Sequence, residues 1–142
     1  MATLTSANST FYLTYGPIGL TFKVQGYAAD DAFTADAVTT AETVMGVDGK
    51  KSAGWLPSIK GFTFTLQADS ESNAKMDAIL AYEKTARETG RLDGVITLPG
   101  IDRSFTLVNG TLKTYTPFAG AKKILQARPF TVDWEDIQSA VI

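Results

Sequence analysis

Two segments of the chain alternate strictly between apolar and polar residues, the pattern of a β-strand with one buried face. The first covers residues 19–25, and the second begins at Ile59. The apolar positions of the two segments are Leu20, Phe22, Val24, Phe62, Phe64, Leu66 and Ala68. The polar positions are Thr21, Lys23, Gln25, Thr63, Thr65 and Gln67. Both segments are therefore predicted to be half-buried strands.

One amphipathic helix is predicted after the second strand. The helical spacing i, i+3, i+4, i+7 is carried by Met76, Ile79, Leu80 and Glu83. Asp69 or Ser70 can cap the start of such a helix, and Gly90 is placed to end it. The pattern predicts a helix over about residues 70–89 that packs one side against a sheet.

The C-terminal half is rich in β-branched and aromatic residues and is predicted to be mostly sheet. The runs with this composition are Leu92 to Leu98, Ser104 to Val108, Thr111 to Tyr115 and Ile124 to Trp134. Asn109-Gly110 predicts a hairpin between two of these runs, because both central positions of a type I′ turn need positive φ. Pro129 predicts an edge position or a bulge in the last run.

Two further stretches complete the predicted fold. The Thr-, Ala- and Val-rich segment from Phe33 to Val47 predicts one or two strands, and three glycines and a proline predict a long exposed Gly-rich loop over about residues 46–58. The fold class is thus mainly β (α+β), with β-sandwich or barrel-like antiparallel sheets and one flanking α-helix. Residues 1–142 are predicted to form a single domain, with residues 1–18 as an N-terminal arm.

Composition argues against an enzyme. The chain has no cysteine and no histidine, which removes thiolate nucleophiles, imidazole or thiolate metal ligands and the commonest general base at neutral pH. Its 13 basic and 15 acidic residues nearly cancel, so no cationic field favours tight nucleic-acid binding. No apolar stretch is long enough to span a bilayer, and residues 1–6 lack the features of a signal peptide, which predicts synthesis and use in a cytosol.

The patterns that could carry chemistry have simpler structural explanations. Ser72 and Lys75 match the serine-lysine spacing of penicillin-recognising enzymes, but no companion motif follows and a helix start explains them. Aromatic residues that could line a sugar site are expected in the core or in an interface; they are Trp55, Tyr82, Tyr115, Phe118 and Trp134. The sequence therefore predicts no catalytic residue, no cofactor and no metal ligand.

Three segments resemble parts of known phage tube subunits. Residues 43–52, Thr-Val-Met-Gly-Val-Asp-Gly-Lys-Lys-Ser, resemble a strand-to-loop passage, and residues 107–113 followed by residues 130–134 resemble later strands. With the order of the predicted elements over roughly residues 19–138, the chain resembles the tail tube and Hcp family of contractile injection machines.

The resemblance implies a non-enzymatic virion protein. Its subunits would form hexameric rings that stack into a tube, through which double-stranded DNA passes without specific binding. The implied partners are copies of itself and other tail proteins, namely the baseplate, the terminator and, in a contractile tail, the sheath. The implied location is the phage tail, after synthesis in the host cytoplasm. Alternatives are a secretion-system tube of the same fold, a head-decoration or terminator protein, and a small carbohydrate- or ligand-binding β-sandwich.

Two sets of residues are candidates for assembly roles. The Gly-rich loop is the candidate stacking element between rings, because it offers charged and apolar anchors; these are Lys50, Lys51, Trp55 and Leu56. Folding of Trp55 back onto its own core is the alternative. The polar strand faces are candidates for the lumen, and their residues are Thr21, Gln25, Thr63, Thr65 and Gln67. The assignment can also be inverted, because a sequence alone does not say which polar face looks inward.

Overall fold

The computed structural model describes residues 9–25 and 33–141, which contain nine strands and one α-helix. The strands are β1 (Thr10–Tyr15), β2 (Leu20–Lys23), β3 (Phe33–Ala35), β4 (Ala41–Met45), β5 (Lys51–Trp55), β6 (Lys60–Leu66), β7 (Leu92–Leu98), β8 (Arg103–Tyr115) and β9 (Arg128–Val141). The helix, α1, covers Ser72–Ala86. The prediction of a mainly β fold with one helix is confirmed.

Seven of the strands form one antiparallel sheet in the order β2-β1-β7-β8-β9-β6-β3, and β4 pairs only with β5. The long strands β8 and β9 are shared between two halves of this sheet. β7 pairs with β8 between Arg103 and Gly110, whereas β6 pairs with β9 between Arg128 and Trp134. We call β2, β1, β7 and the paired part of β8 the first half, and β6, β3 and the paired part of β9 the second half.

The sheet curls so that its two halves pack face to face. Phe11 of β1 lies 5.4 Å from Phe62 and 5.5 Å from Phe64, both on β6, as measured between ring centroids. Three other strands separate β1 from β6 in the sheet, so these contacts require strong curvature. The curled sheet encloses an apolar core that includes Leu13, Tyr15, Phe22, Leu66, Leu107, Phe130, Val132 and Trp134. The result is barrel-like but, among the described strands, not closed.

Helix α1 is attached to the first half of the sheet at both of its ends. Near its start the Ser72 hydroxyl accepts a hydrogen bond from the Gln25 amide at 2.8 Å, and near its end the Tyr15 hydroxyl donates to Glu83 at 3.3 Å. Burial together with the Glu83 carboxylate raises the pKa of Tyr15 to about 12. The tyrosine therefore stays protonated over the physiological range and keeps its hydrogen bond to Glu83.

The helix ends earlier than the sequence predicts, and a different residue ends it. Arg87 adopts the left-handed conformation at φ 56° and its amide donates to the Glu83 carbonyl at 2.8 Å, which closes the last turn. Gly90, which was predicted to end the helix, instead lies against Tyr15, and a Cβ at this position would overlap the Tyr15 hydroxyl. The glycine permits close packing of the chain that leaves the helix.

The hairpin predicted at Asn109-Gly110 is wrong, because β8 runs without interruption from Arg103 to Tyr115. Asn109 has a positive φ of 50°, which asparagine tolerates better than most residues, but it lies at an irregular position within the strand and not in a turn. The pairing of β8 with β7 shifts register beside it, while its pairing with β9 continues across this point. The irregularity thus lies where β8 passes from the first half of the sheet to the second.

The long loop predicted over residues 46–58 is also wrong in its extent. Residues Lys51–Trp55 form β5, and only residues 46–50 turn between the two strands, with Gly49 at φ 82°. All five residues of β5 are exposed, so neither face shows the apolar periodicity by which a strand is recognised.

The segment predicted to be an N-terminal arm contributes a strand to the sheet. β1 lies between β2 and β7, and its residues Phe11, Leu13 and Tyr15 are fully buried. Residues 1–8 of the predicted arm lie outside the described residues. The alternation of Phe11, Leu13 and Tyr15 with polar neighbours is the signal that could have identified β1.

Candidate assembly surfaces

The β4–β5 hairpin is exposed along its whole length. All ten residues of its two strands are exposed, and Trp55 has 77% of its surface accessible. A solitary two-stranded hairpin is marginally stable in water, and large exposed apolar residues commonly mark interaction sites. These features favour a hairpin that is completed by contact with another chain.

One face of the hairpin carries most of its apolar surface. The register pairs Ala41 with Trp55 and Met45 with Lys51, so alternate residues of the two strands lie on the same side. We call this side the hairpin face, and its residues are Ala41, Thr43, Met45, Lys51, Ala53 and Trp55. Its largest exposed members are Met45 and Trp55.

The four predicted stacking residues all lie in or next to this hairpin. Lys50 is in the turn, Lys51 and Trp55 are the ends of β5, and the Leu56 amide donates to the Thr40 carbonyl at 2.9 Å, which closes the base of the hairpin. The alternative was that Trp55 folds back onto its own core, but in the structure its side chain is exposed. The stacking role itself stays a prediction.

The five predicted lumen residues lie in two separate groups. Thr21 and Gln25 belong to β2 or follow it, and Thr63, Thr65 and Gln67 belong to β6 or follow it. In each strand the neighbouring apolar residues face the core, so these polar side chains are on the outer surfaces of the two halves. Because the halves pack face to face, the two groups point away from each other and cannot line one surface together.

The loop over residues 116–127, between β8 and β9, presents a second apolar surface. The accessible fractions are 75% for Phe118, 77% for Ile124 and 62% for Leu125. Lys122 and Lys123 are exposed beside them. The sequence predicts a strand from Ile124 onward, but β9 begins at Arg128. The absence of alternation before Arg128 is the signal that could have shown a loop here.

The buried Arg128 side chain holds the base of this loop. Its guanidinium donates to the carbonyls of Thr116 and Pro117, each at 3.1 Å. It also donates to Asp77 on α1 at 3.1 Å and to Asn73 at 3.4 Å. Only 5% of the Arg128 side chain is accessible, and its charge lies 5.1 Å from the centroid of the Phe130 ring. The arginine therefore joins the loop to the helix.

The sheet also leaves strand edges without partners among the described residues. β2 and β3 are its outermost strands. In addition, β9 continues to Val141 although its pairing with β6 ends at Trp134. Unpaired edges are templates for pairing with another chain, so native proteins usually cover them.

The described residues contain no group of three or more acidic side chains placed to hold a metal ion, and none of their helices could cross a membrane. Of the aromatic residues considered for a sugar site, Trp55 and Trp134 line one groove, in which Trp55 is exposed and Trp134 is buried, whereas Tyr115 lines another.

Comparison with known proteins identifies the family and the fold. The family model described as tail fiber protein gp32 matches residues 3–138. No curated protein matches the chain. Chains of several cryo-EM structures share its fold at low sequence identity. One belongs to the 6-fold symmetrised baseplate of the anti-feeding prophage, with a TM-score of 0.59, 11% identity and coverage of 94% of this chain and 92% of that chain.

Two further cryo-EM structures contain chains of this fold. One is the tube-terminating cap of the anti-feeding prophage, with a TM-score of 0.57, 14% identity and coverage of 93% and 88% of the two chains. The other is the sheath-tube complex of an extracellular contractile injection system, PVC, with a TM-score of 0.52, 12% identity and coverage of 93% and 88%. The resemblance to tube-like proteins is thereby confirmed, and the chain belongs to the tail fiber protein gp32 family of structural tail components.

Proposed function

We propose that this chain is a tail tube subunit, which forms hexameric rings that stack into the conduit for genome ejection. The observation that carries the proposal is an open, curled sheet with unpaired edges combined with a solitary exposed hairpin. In a monomer, the backbone groups of these strand edges and the apolar side chains of the hairpin would have no partner within the described residues. The sixfold order is suggested by the fold shared with a chain of the 6-fold symmetrised baseplate.

Ring formation would use the strand edges. Pairing of an edge of one subunit with an edge of its neighbour satisfies the backbone groups of both and removes the edges. Repetition of the same contact around a rotation axis closes a ring, because head-to-tail interfaces generate rings when the rotation closes. The short outer strands β2 and β3 and the free part of β9 are the available edges.

The proposed lumen wall is the outer surface of the second half of the sheet. Thr63 and Thr131 share a hydrogen bond between their hydroxyls at 3.1 Å there, and Asp133 beside them on β9 forms an ion pair with Lys113 at 3.7 Å. A surface of hydroxyls whose charges are paired binds the phosphates of double-stranded DNA weakly, so DNA could slide past it. Thr63, Thr65 and Gln67 are on this surface, whereas Thr21 and Gln25 are not.

The lumen assignment can be tested by labelling, because the chain has no natural cysteine. In assembled tubes, Thr63→Cys should be protected from a bulky polyethylene-glycol maleimide, and Thr21→Cys should react at the rate of the free subunit. Both variants should react in the dissociated protein. Protection of Thr21→Cys with rapid labelling of Thr63→Cys would assign the lumen to the first half instead.

Other tail proteins are the expected partners of the tube. The baseplate and the terminator would meet its two ends, and a sheath would surround it in a contractile tail. The location would be the tail of a virion or of a related injection machine. Genomic neighbours would separate a phage tube from a secretion-system tube of the same fold.

Electron microscopy of the purified protein at increasing concentration tests the proposal. Hollow rings or tubes of uniform width are expected. Compact single particles at all concentrations, with or without a purified baseplate complex as initiator, would contradict it and would favour the small ligand-binding β-sandwich. Solid fibres without a channel would indicate a fibre component.

Removal of the apolar anchors at the hairpin base should prevent stacking. The double variant Trp55→Ala with Leu56→Ala is expected to remain folded by circular dichroism, because Trp55 is exposed and contributes little to the core. It should form few or no tubes by negative-stain microscopy. The control Ile101→Ala removes a half-exposed apolar residue elsewhere and should leave tubes intact. Normal tubes from the double variant would exclude these residues as the stacking element.

A further inference from the structure

Building on the proposed tube assembly, we propose that the hairpin face of one subunit binds the 116–127 loop of a subunit in the next ring. The partner is thus a second copy of this chain. Both the hairpin face and the 116–127 loop expose large apolar side chains. Within the described part of the subunit, no other segment covers these side chains.

The two surfaces lie at opposite ends of β6. The hairpin enters β6 at Lys60, and the residues that lead into it, Pro57 to Ile59, share a groove with Trp55. The other end of β6 is followed by Gln67 to Asp69, which share a groove with residues 123–127 of the loop. Seven strand residues separate the ends, or roughly 20 Å at about 3.3 Å per residue. One subunit therefore cannot bring its own two surfaces together.

Opposed, non-identical surfaces are suited to stacking. A contact between the hairpin of one copy and the loop of the next is head-to-tail, and such a contact repeats indefinitely when no rotation closes it. Translation along the tube axis would use this contact, while the strand edges close each ring. The two kinds of surface thus provide two independent directions of growth.

The loop is held in place before any partner binds. The Gln126 amide donates to the Gly120 carbonyl at 2.8 Å, and the Lys122 amide donates to the Ile124 carbonyl at 3.3 Å. Arg128 fixes its base through the carbonyls of Thr116 and Pro117. A preorganised loop loses little conformational entropy on binding, so its exposed apolar side chains are suited to recognition.

The chemistry of the two surfaces is complementary. Met45 and Trp55 of the hairpin face offer apolar area to Phe118, Ile124 and Leu125 of the loop. Residues 116–127 contain two lysines and no acidic residue, and neither lysine forms an ion pair within the described part of the chain. Asp48 in the turn can supply the opposite charge. Because Lys51 is itself on the hairpin face and Lys50 is next to it, the lysines of the loop should approach Asp48 and the β4 side of the turn.

Cross-linking of two single-cysteine variants tests the contact directly. Met45→Cys and Ile124→Cys both place a thiol at an exposed position, and an otherwise cysteine-free chain gives no background. A mixture of the two variants, treated with a short bismaleimide, should yield several-fold more mixed dimer than a mixture of Met45→Cys with Ile101→Cys. An equal yield in the two mixtures would overturn the proposal.

A charge variant of the loop separates failure of this contact from failure of the tube. Ile124→Asp with Leu125→Asp changes only exposed side chains and is expected to allow rings but not tubes. Normal tubes from this variant would overturn the contact and leave the tube function standing. If the unmodified chain forms neither rings nor tubes, the tube function fails, and the cross-link between Met45→Cys and Ile124→Cys still decides whether copies meet in this way.

Discussion

Replacement of Arg128 with alanine is expected to lower the free energy of unfolding by about 3 kcal/mol, because the change removes a buried side chain and leaves several partly buried acceptors without a donor. The guanidinium serves the carbonyls of Thr116 and Pro117 and the side chains of Asn73 and Asp77. Asp77 is partly exposed and can be solvated by water, whereas the two carbonyls lie at the base of the loop. The measurement is urea unfolding followed by circular dichroism.

A matched control for Arg128 is another arginine in an ion pair, Arg91. It contacts Asp93 at 3.2 Å, but both side chains are largely exposed. Exposed pairs contribute about 0–1 kcal/mol, so Arg91→Ala should shift the unfolding midpoint only slightly. Equal effects of the two substitutions would show that Arg128 does not hold the loop to the helix. Loss of tubes in Arg128→Ala under conditions where the variant remains folded would be expected if loop position matters for stacking.

Gly110→Ala is expected to destabilise the fold by about 2 kcal/mol through overpacking. A Cβ at this position would lie 2.5 Å from two carbon atoms of the Trp134 ring, and Trp134 is fully buried. Because Trp134 is fully buried, a movement that relieves this contact must also shift the core residues packed around the ring. Thermal and urea unfolding should both report the loss.

The control for Gly110 is Gly54, which is also a strand glycine. A Cβ at Gly54 would have no atom within 4 Å, because β5 is exposed on both faces. Gly54→Ala is therefore expected to change stability by less than about 0.5 kcal/mol. If Gly110→Ala is as harmless as Gly54→Ala, the close contact between Gly110 and Trp134 is relieved by a small movement and does not restrict the residue at position 110.

The elements with a buried face could be predicted from the sequence. β2, β6 and α1 have apolar residues at the period of their secondary structure, and each forms close to the predicted place. The same applies to β7, which covers Leu92–Leu98 as predicted. Periodicity is reliable here because one side of each element contacts the core and the other contacts water.

Elements whose form depends on distant contacts could not be predicted in the same way. Asn109 and Gly110 have the composition of a turn, but their backbone continues as a strand because β9 pairs across them and Trp134 fills the space above the glycine. β5 has no periodicity because neither of its faces is buried within the subunit. Its strand conformation follows from pairing with β4, which a local pattern does not encode.

The sequence by itself determined the mainly β composition, the single helix and the absence of histidine and cysteine chemistry, since these follow from residue type and local spacing. The sequence also identified Trp55, Lys50 and Lys51 as candidate contact residues. Only the tertiary structure decided that the predicted lumen residues lie on two opposed surfaces and that the hairpin and the 116–127 loop lie at opposite ends of β6. The reason is that curvature of the sheet depends on long-range packing, such as that of Phe11 against Phe64, between residues far apart in the chain.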